Sequence, residues 1–223
     1  MADYSNPFQI KNMQESLTER VYQYLRYSIT HQRIKCGERV SITRLADDLQ
    51  VSQTPVREAL QRLEKEMLVE FETNKGVKII EITPKDVIEI CEISMLLECH
   101  AIKLSFEVSD INAIIDDLEG CILKQKESYG MQNFDMFMDY ALAFHKVFGK
   151  HSNNSRLIHT LNSIQGQMDI LVAKFYDGSH AMQDSIAEHG RILRAVREHD
   201  VEKTVSEMKN HITNSREKII KLF

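Results

Sequence analysis

Tryptophan is absent from this chain, and in 223 residues there are only 3 prolines and 8 glycines. So few turn-forming residues exclude a turn-dense all-β fold and favour long helices with short connections. Nowhere do about 18 apolar residues run together, so no segment reads as a membrane-spanning helix. The four cysteines, Cys36, Cys91, Cys99 and Cys121, are widely spaced without a C-x-x-C pair. The N-terminal "MADYSNPFQI" lacks a basic region followed by an apolar run. A reduced, cytoplasmic compartment and no membrane association are the expectation. Also missing are a nucleophile elbow and a phosphate-cradling glycine loop. Cys91 and Cys99, two turns apart on one helical stretch, read as packing residues.

An excess of positive charge is lacking too: the net charge is -5. The mean hides two halves. Residues 1–80 carry 12 Lys and Arg against 11 Asp and Glu, which leaves 16 against 22 for the rest. Only the first part is neutral enough to approach a polyanion.

What the sequence does have is helical periodicity. Leu17, Val21, Tyr24, Leu25 and Ile29 share one face of a helix running from Ser16 toward Ile34, which "KCGERV" breaks at Gly37. Ser41 is placed to cap a short helix with the stripe Ile42, Leu45, Ala46 and Leu49, ending near Gln50. A third helix follows at once, with Thr54 as expected N-cap and Pro55 at N1. Its Val56, Ala59, Leu60 and Leu63 face inward, and Gln53, Arg57 and Gln61 face out. "VEFE" and "VKIIEI" then bracket "TNKG" as a hairpin with Gly76 at its turn. This is the outline of a winged helix-turn-helix. Beyond Thr83-Pro84 the patterns are helical throughout, over 84–107, 110–128, 133–150, 155–175, 182–198 and 201–222. Their short loops predict antiparallel neighbours in a bundle. The fold class expected is mainly α, with a winged domain over residues 1–82 and an all-helical domain over 83–223.

A helix of about 10–12 Å diameter fits the major groove of DNA. With the apolar stripe buried, the start of the third helix presents Ser52, Gln53, Thr54 and Arg57. Arginine can bond guanine O6 and N7 together, glutamine can pair with adenine, and small hydroxyls suit phosphate. Lys75 and Lys78 flank Gly76, where the absence of a side chain permits close approach to a groove. An ordinary solvated face is the competing reading of these residues.

The stretch "SITRLADDLQVSQTPVREALQRLEKEMLVEFETNKGVKI" resembles the signature of the GntR superfamily of bacterial transcription regulators. The helical remainder resembles the FadR-like subfamily with its effector-binding FCD domain, so the resemblance spans nearly the whole chain. It implies that Arg57 contacts a base, Ser52 and Thr54 hold phosphate, and Gly76 approaches the minor groove. Gln53 stands where the family often has arginine, which alters the base preference expected there.

Nine histidines raise the question of a metal. His31, His151, His159, His180 and His199 fall near helix ends or loops and read as solvated, and His100 as a core or boundary residue. His189 and His211 lie 22 residues apart, with Asp200 between them at the expected turn, so they face each other at one height in an antiparallel hairpin. His145, in "YALAFHKVF", points inward. Three converging imidazoles suit a divalent ion of the Zn or Ni class, and three buried, hydrogen-bonded histidines are the other reading. The family resemblance implies a metal site at His145, His189 and His211, with an aspartate four residues before the first. That position is Ala141, and Asp139 lies on another face of the helix. The resemblance also implies a small carboxylate effector near Glu98, but the arginine usual four residues before it is Ser94.

Two-fold association on a palindromic operator is the physical route by which one small recognition helix gains affinity and specificity. The reading that follows is a homodimeric repressor controlled by an organic acid. The competing readings are a helical metal-dependent hydrolase, for which Glu188 is a poorly placed base, and an architectural DNA-binding protein that senses no ligand.

Overall fold

The computed structural model describes residues 15–72, 76–175 and 179–223, the side chains of 174, 175, 179 and 180 excepted. The chain divides into two compact units, one ending at Glu81 and the other beginning at Ile82.

In the first unit, α1 (Leu17–Thr30), β1 (Arg39–Val40), α2 (Ile42–Leu49), α3 (Gln53–Lys65), β2 (Val69–Glu72) and β3 (Gly76–Ile79) follow in order. Val21, Leu25 and Ile29 of α1 meet Val56, Ala59, Leu60 and Leu63 of α3 in a core where each is at most 1% exposed. Each such aliphatic burial contributes about 1.5–3 kcal/mol, which is what holds an outward-facing α3 in place. Helix α2 starts where Ser41 Oγ accepts from the Arg44 amide, and ends at Gln50 in the left-handed conformation, φ +54°. The Val51 amide then donates back to the Ala46 carbonyl, closing the turn before α3.

Two details depart from the sequence expectation. Helix α3 begins at Gln53 rather than after Thr54, with Ser52 as N-cap making no side-chain capping bond. Pro55 is therefore the third helical residue, still within the turn whose amides lack helical acceptors, so its missing N–H costs nothing there. The second departure is β1, which makes the wing a three-stranded antiparallel sheet of order β1-β3-β2. Gly76 is accordingly not the turn but the first residue of β3, opposite Glu72. Its φ is +89°, and a β-carbon there would stand 3.0 Å from the Val40 carbonyl oxygen of β1. Only glycine lets the two strands close at that point.

The second unit is α4 (Pro84–Val108), α5 (Ile111–Gly130), α6 (Phe134–His151), α7 (Ser155–Phe175), α8 (Ser179–Arg197) and α9 (Val201–Ile220). A capping box opens α4, the Thr83 hydroxyl accepting from the Asp86 amide and the Asp86 carboxylate accepting from the Thr83 amide. The Asp200 carboxylate caps α9, so the α8–α9 turn falls where the histidine spacing places it. Helix α4 packs along α9, α5 along α6 and α8, and α8 along α9. Among the described residues, no helix is long and apolar enough to cross a membrane.

Candidate nucleic-acid interface and metal centre

On the first unit, Ser52, Gln53, Thr54, Arg57 and Gln61 are all exposed, in a patch running from the N-cap to the third turn of α3. The two arginines of this helix have different fates. Arg62 bonds Glu19 of α1, and its guanidinium lies 3.6 Å from the centre of the Tyr22 ring, so it ties α3 to α1. Arg57 forms no ion pair or side-chain hydrogen bond among the described residues. Its neighbour Glu58 is occupied by the Thr18 hydroxyl at 2.9 Å. The free amides at the start of α3 add an anion-favouring end beside Arg57. In the wing, Arg39 forks onto Glu72 at 2.9 and 3.2 Å and Lys78 pairs with Glu81 at 3.0 Å, so both cations have partners within the wing domain. Gly76 is exposed; Lys75 lies outside the described residues.

On the second unit, α6, α8 and α9 bring His145, His189 and His211 together, with one nitrogen from each ring within 4.8 Å of the others. Each ring has its Nδ1 held from behind. His145 Nδ1 donates to Glu98 Oε2 at 2.7 Å, His211 Nδ1 to Glu188 Oε2 at 2.7 Å, and His189 Nδ1 to Gln125 Oε1 at 2.9 Å. The Gln125 orientation is not free, because its Nε2 donates to the Tyr140 carbonyl at 3.2 Å. With each Nδ1–H used, each Nε2 turns its lone pair inward. His145 and His211 Nε2 are 3.2 Å apart, while His189 Nε2 is buried without a hydrogen-bond partner. The His189 ring is fixed against Phe144, centroids 3.9 Å apart and nearly parallel.

The electrostatics separate the three rings. Burial, and then the neighbouring His211 and His145, push the His189 pKa well below its ordinary value, so it stays neutral. Burial also lowers that of His211 in spite of its bond to Glu188. Burial works against charge on His145 as well, but the Glu98 carboxylate, by charge and by hydrogen bond, raises its pKa. The site as a whole is a cluster of three ring nitrogens around a place suited to a cation. An orphaned, fully buried imidazole nitrogen beside two others is the observation that fits this set to a borderline divalent ion; in a merely packed core it would be an uncompensated loss.

The remaining expectations divide. Ala141 is buried with Phe137, Met138, Leu142 and Met182 in an apolar cluster, and Asp139 is exposed, so neither offers a fourth ligand. Ser94 is buried and donates to Glu98 Oε1 at 2.6 Å. His151 is not solvated as expected: its Nε2 meets Asp117 Oδ2 at 2.8 Å, and His31 stacks on Tyr27. His100, His159 and His199 are exposed, and the His180 side chain lies outside the described residues. Gln125, Glu98 and Glu188 as ring partners escaped the sequence reading, since each reaches a different helix from its own.

Residues 89–214 match the FCD domain model, more than half of the chain, and residues 17–79 match the model described as bacterial regulatory proteins, gntR family. The chain belongs to this family of regulators. It is 27% identical over 202 residues to the uncharacterized HTH-type transcriptional regulator YdhC of Bacillus subtilis, covering 88% of each chain. It is 28% identical over 153 residues to the gluconate operon transcriptional repressor of the same species, covering 69% of this chain and 62% of that one. The solved structure of E. coli McbR/YncC has the same fold, with a TM-score of 0.83 over 93% of this chain and 99% of that one at 20% identity. This FCD regulator is therefore a DNA-binding transcription factor with a ligand-binding helical domain, and the hydrolase reading falls with the family assignment.

Proposed function

We propose that this FCD regulator is a homodimeric repressor whose winged domain, over residues 1–82, reads a palindromic operator. The domain over residues 83–223 then dimerises and senses a small organic acid together with a divalent metal. The observation that carries the DNA-reading part is the uncommitted Arg57, exposed on the first turns of α3 while Arg62 is tied to α1. Arg57 bonds a guanine edge, Gln53 and Gln61 reach neighbouring bases, Ser52 and Thr54 hold phosphate, and Lys75 and Gly76 follow the backbone or minor groove. Two copies double the contacts and set the half-site spacing.

His145, His189 and His211 hold an ion of the Zn or Ni class in the bundle. The bound ion supplies positive charge and open coordination positions for a carboxylate oxygen. That charge replaces the cation missing at Ser94. The orphaned His189 nitrogen also weighs against a ligand-free architectural role. For the acid to act it must bind the DNA-competent and released states with different affinity, through a changed spacing of the two winged domains in the dimer.

The test is binding to an operator selected from random duplexes, followed by fluorescence anisotropy at fixed salt. Arg57→Ala is expected to weaken specific binding by about 5- to 150-fold, the loss of one bidentate base contact of about 1–3 kcal/mol, with much less effect on random DNA. Equal loss on both DNAs would reduce Arg57 to a phosphate contact, and no loss would sink the reading.

A further inference from the structure

Three imidazoles carry no negative charge, yet the site suits a dication in a buried place. Among the described residues of this unit, three carboxylates, Glu98, Asp169 and Glu188, are buried, and no lysine or arginine is. Buried carboxylates need hydrogen bonds and compensating positive charge, and a cation at the cluster would supply that charge.

Glu98 and Glu188 stand in equivalent positions. One oxygen of each accepts from a histidine Nδ1 at 2.7 Å. The other oxygen is held by a neutral donor, the Ser94 hydroxyl at 2.6 Å for Glu98 and the Asn214 amide at 2.9 Å for Glu188. Arg191 stands 3.8 Å from Glu188 Oε1 with its side chain 43% exposed, and Lys218 acts on the same carboxylate only by charge, so neither is a buried partner that neutralises it. Both carboxylates are thus fixed by uncharged partners on one side and aimed through a ring at the cluster on the other. Gln125 does the same for His189 without charge.

We infer that Glu98 and Glu188 are the positioning residues that make this site a cation site, supplying from behind the rings the two negative charges that no ligand supplies in front. The inference rests on the metal reading above. A carboxylate on the far ring nitrogen fixes the tautomer and raises the basicity of the near one, and two of them balance a divalent ion. The pattern also specifies which charge is taken: a cation that prefers nitrogen donors, with its remaining positions open.

The experiment uses the full-length chain, stripped of metal with a chelator and titrated with Co(II) and Zn(II). The d–d absorption of Co(II) reports ligand geometry, and competition with a chromophoric chelator reports affinity. Glu98→Gln and Glu188→Gln keep size and a ring acceptor while removing charge. Each is expected to weaken Zn(II) binding by about 10- to 100-fold while leaving the Co(II) spectrum in place. Glu98→Asp, which keeps the charge, should recover part of the affinity and also serves if the glutamine variant folds poorly. Wild-type affinity in both glutamine variants overturns the inference and leaves the metal reading standing. A wild-type chain that gives no Co(II) spectrum removes both.

Discussion

Replacing Gln125 by leucine isolates one link in the histidine cluster. Gln125 is fully buried, and its carboxamide has two partners, the Tyr140 carbonyl and His189 Nδ1. Leucine fills nearly the same space but accepts no hydrogen bond. His189 Nδ1–H then becomes a buried donor without a partner, a loss of about 1–3 kcal/mol that the added apolar contact offsets only in part. A net loss of about 1–2 kcal/mol corresponds to a melting temperature lower by roughly 3–6 °C for a unit of this size. The assay is calorimetry of the wild type and Gln125→Leu with chelator present, so that no metal contributes. In the variant the proton on His189 is no longer confined to Nδ1, and the inward lone pair is no longer guaranteed. Zn(II) should therefore raise the melting temperature of the wild type more than that of the variant. An unchanged or higher melting temperature for Gln125→Leu without metal would refute the reasoning.

Gly76→Ala forces a β-carbon onto a backbone at φ +89° and against the Val40 carbonyl. The expected loss is about 1–3 kcal/mol in the first unit, read by chemical denaturation, together with weaker operator binding; unchanged stability would show that the strand pair does not need the glycine. Asp117 accepts from Lys150 at 2.6 Å and from His151 at 2.8 Å, and these two bonds hold its carboxyl below the usual aspartate value against a smaller opposing effect of burial. A lowered folded pKa means that the contribution is present above the unfolded value and drains as pH falls through the folded one. Asp117→Asn should then be less stable than wild type by about 0.5–1 kcal/mol at pH 7, with the gap narrowing toward pH 3 in urea titrations, and a gap that widens on acidification would count against it.

The fold was legible where periodicity was strong. All six helices of the second unit follow from the spacing of apolar residues and from loops as short as "EVSD" and "HSNN". Strand β1 was not legible, because two residues carry no alternation; Arg39 and Val40 become a strand only when Lys78 and Val77 lie opposite. The convergence of His189 and His211 follows from hairpin arithmetic about Asp200, and that of His145 from its apolar surroundings. Their partners do not follow from spacing at all. Glu188, next to His189 and pointing about 100° away around α8, looks misplaced in the sequence, yet that direction is toward His211 on α9. The start of α3 was misplaced by the prior that proline favours the first helical position, which the Ser52 backbone overrides.

The histidine cluster draws on α4 through Glu98, α5 through Gln125, α6 through His145, α8 through Glu188 and His189, and α9 through His211. These residues are separated by as much as 113 positions, from Glu98 to His211. On a ribosome making about 5–20 residues per second, the first partner waits several seconds for the last. The Glu98–His145 and Gln125–His189 bonds join helices made earlier, but the three-ring cluster cannot close, and Glu188 lacks both its partners, while α9 is still in the exit tunnel. An ion bound as proposed would thus be excluded from guiding the early stages of folding, and metal loading would be a late checkpoint on the finished chain.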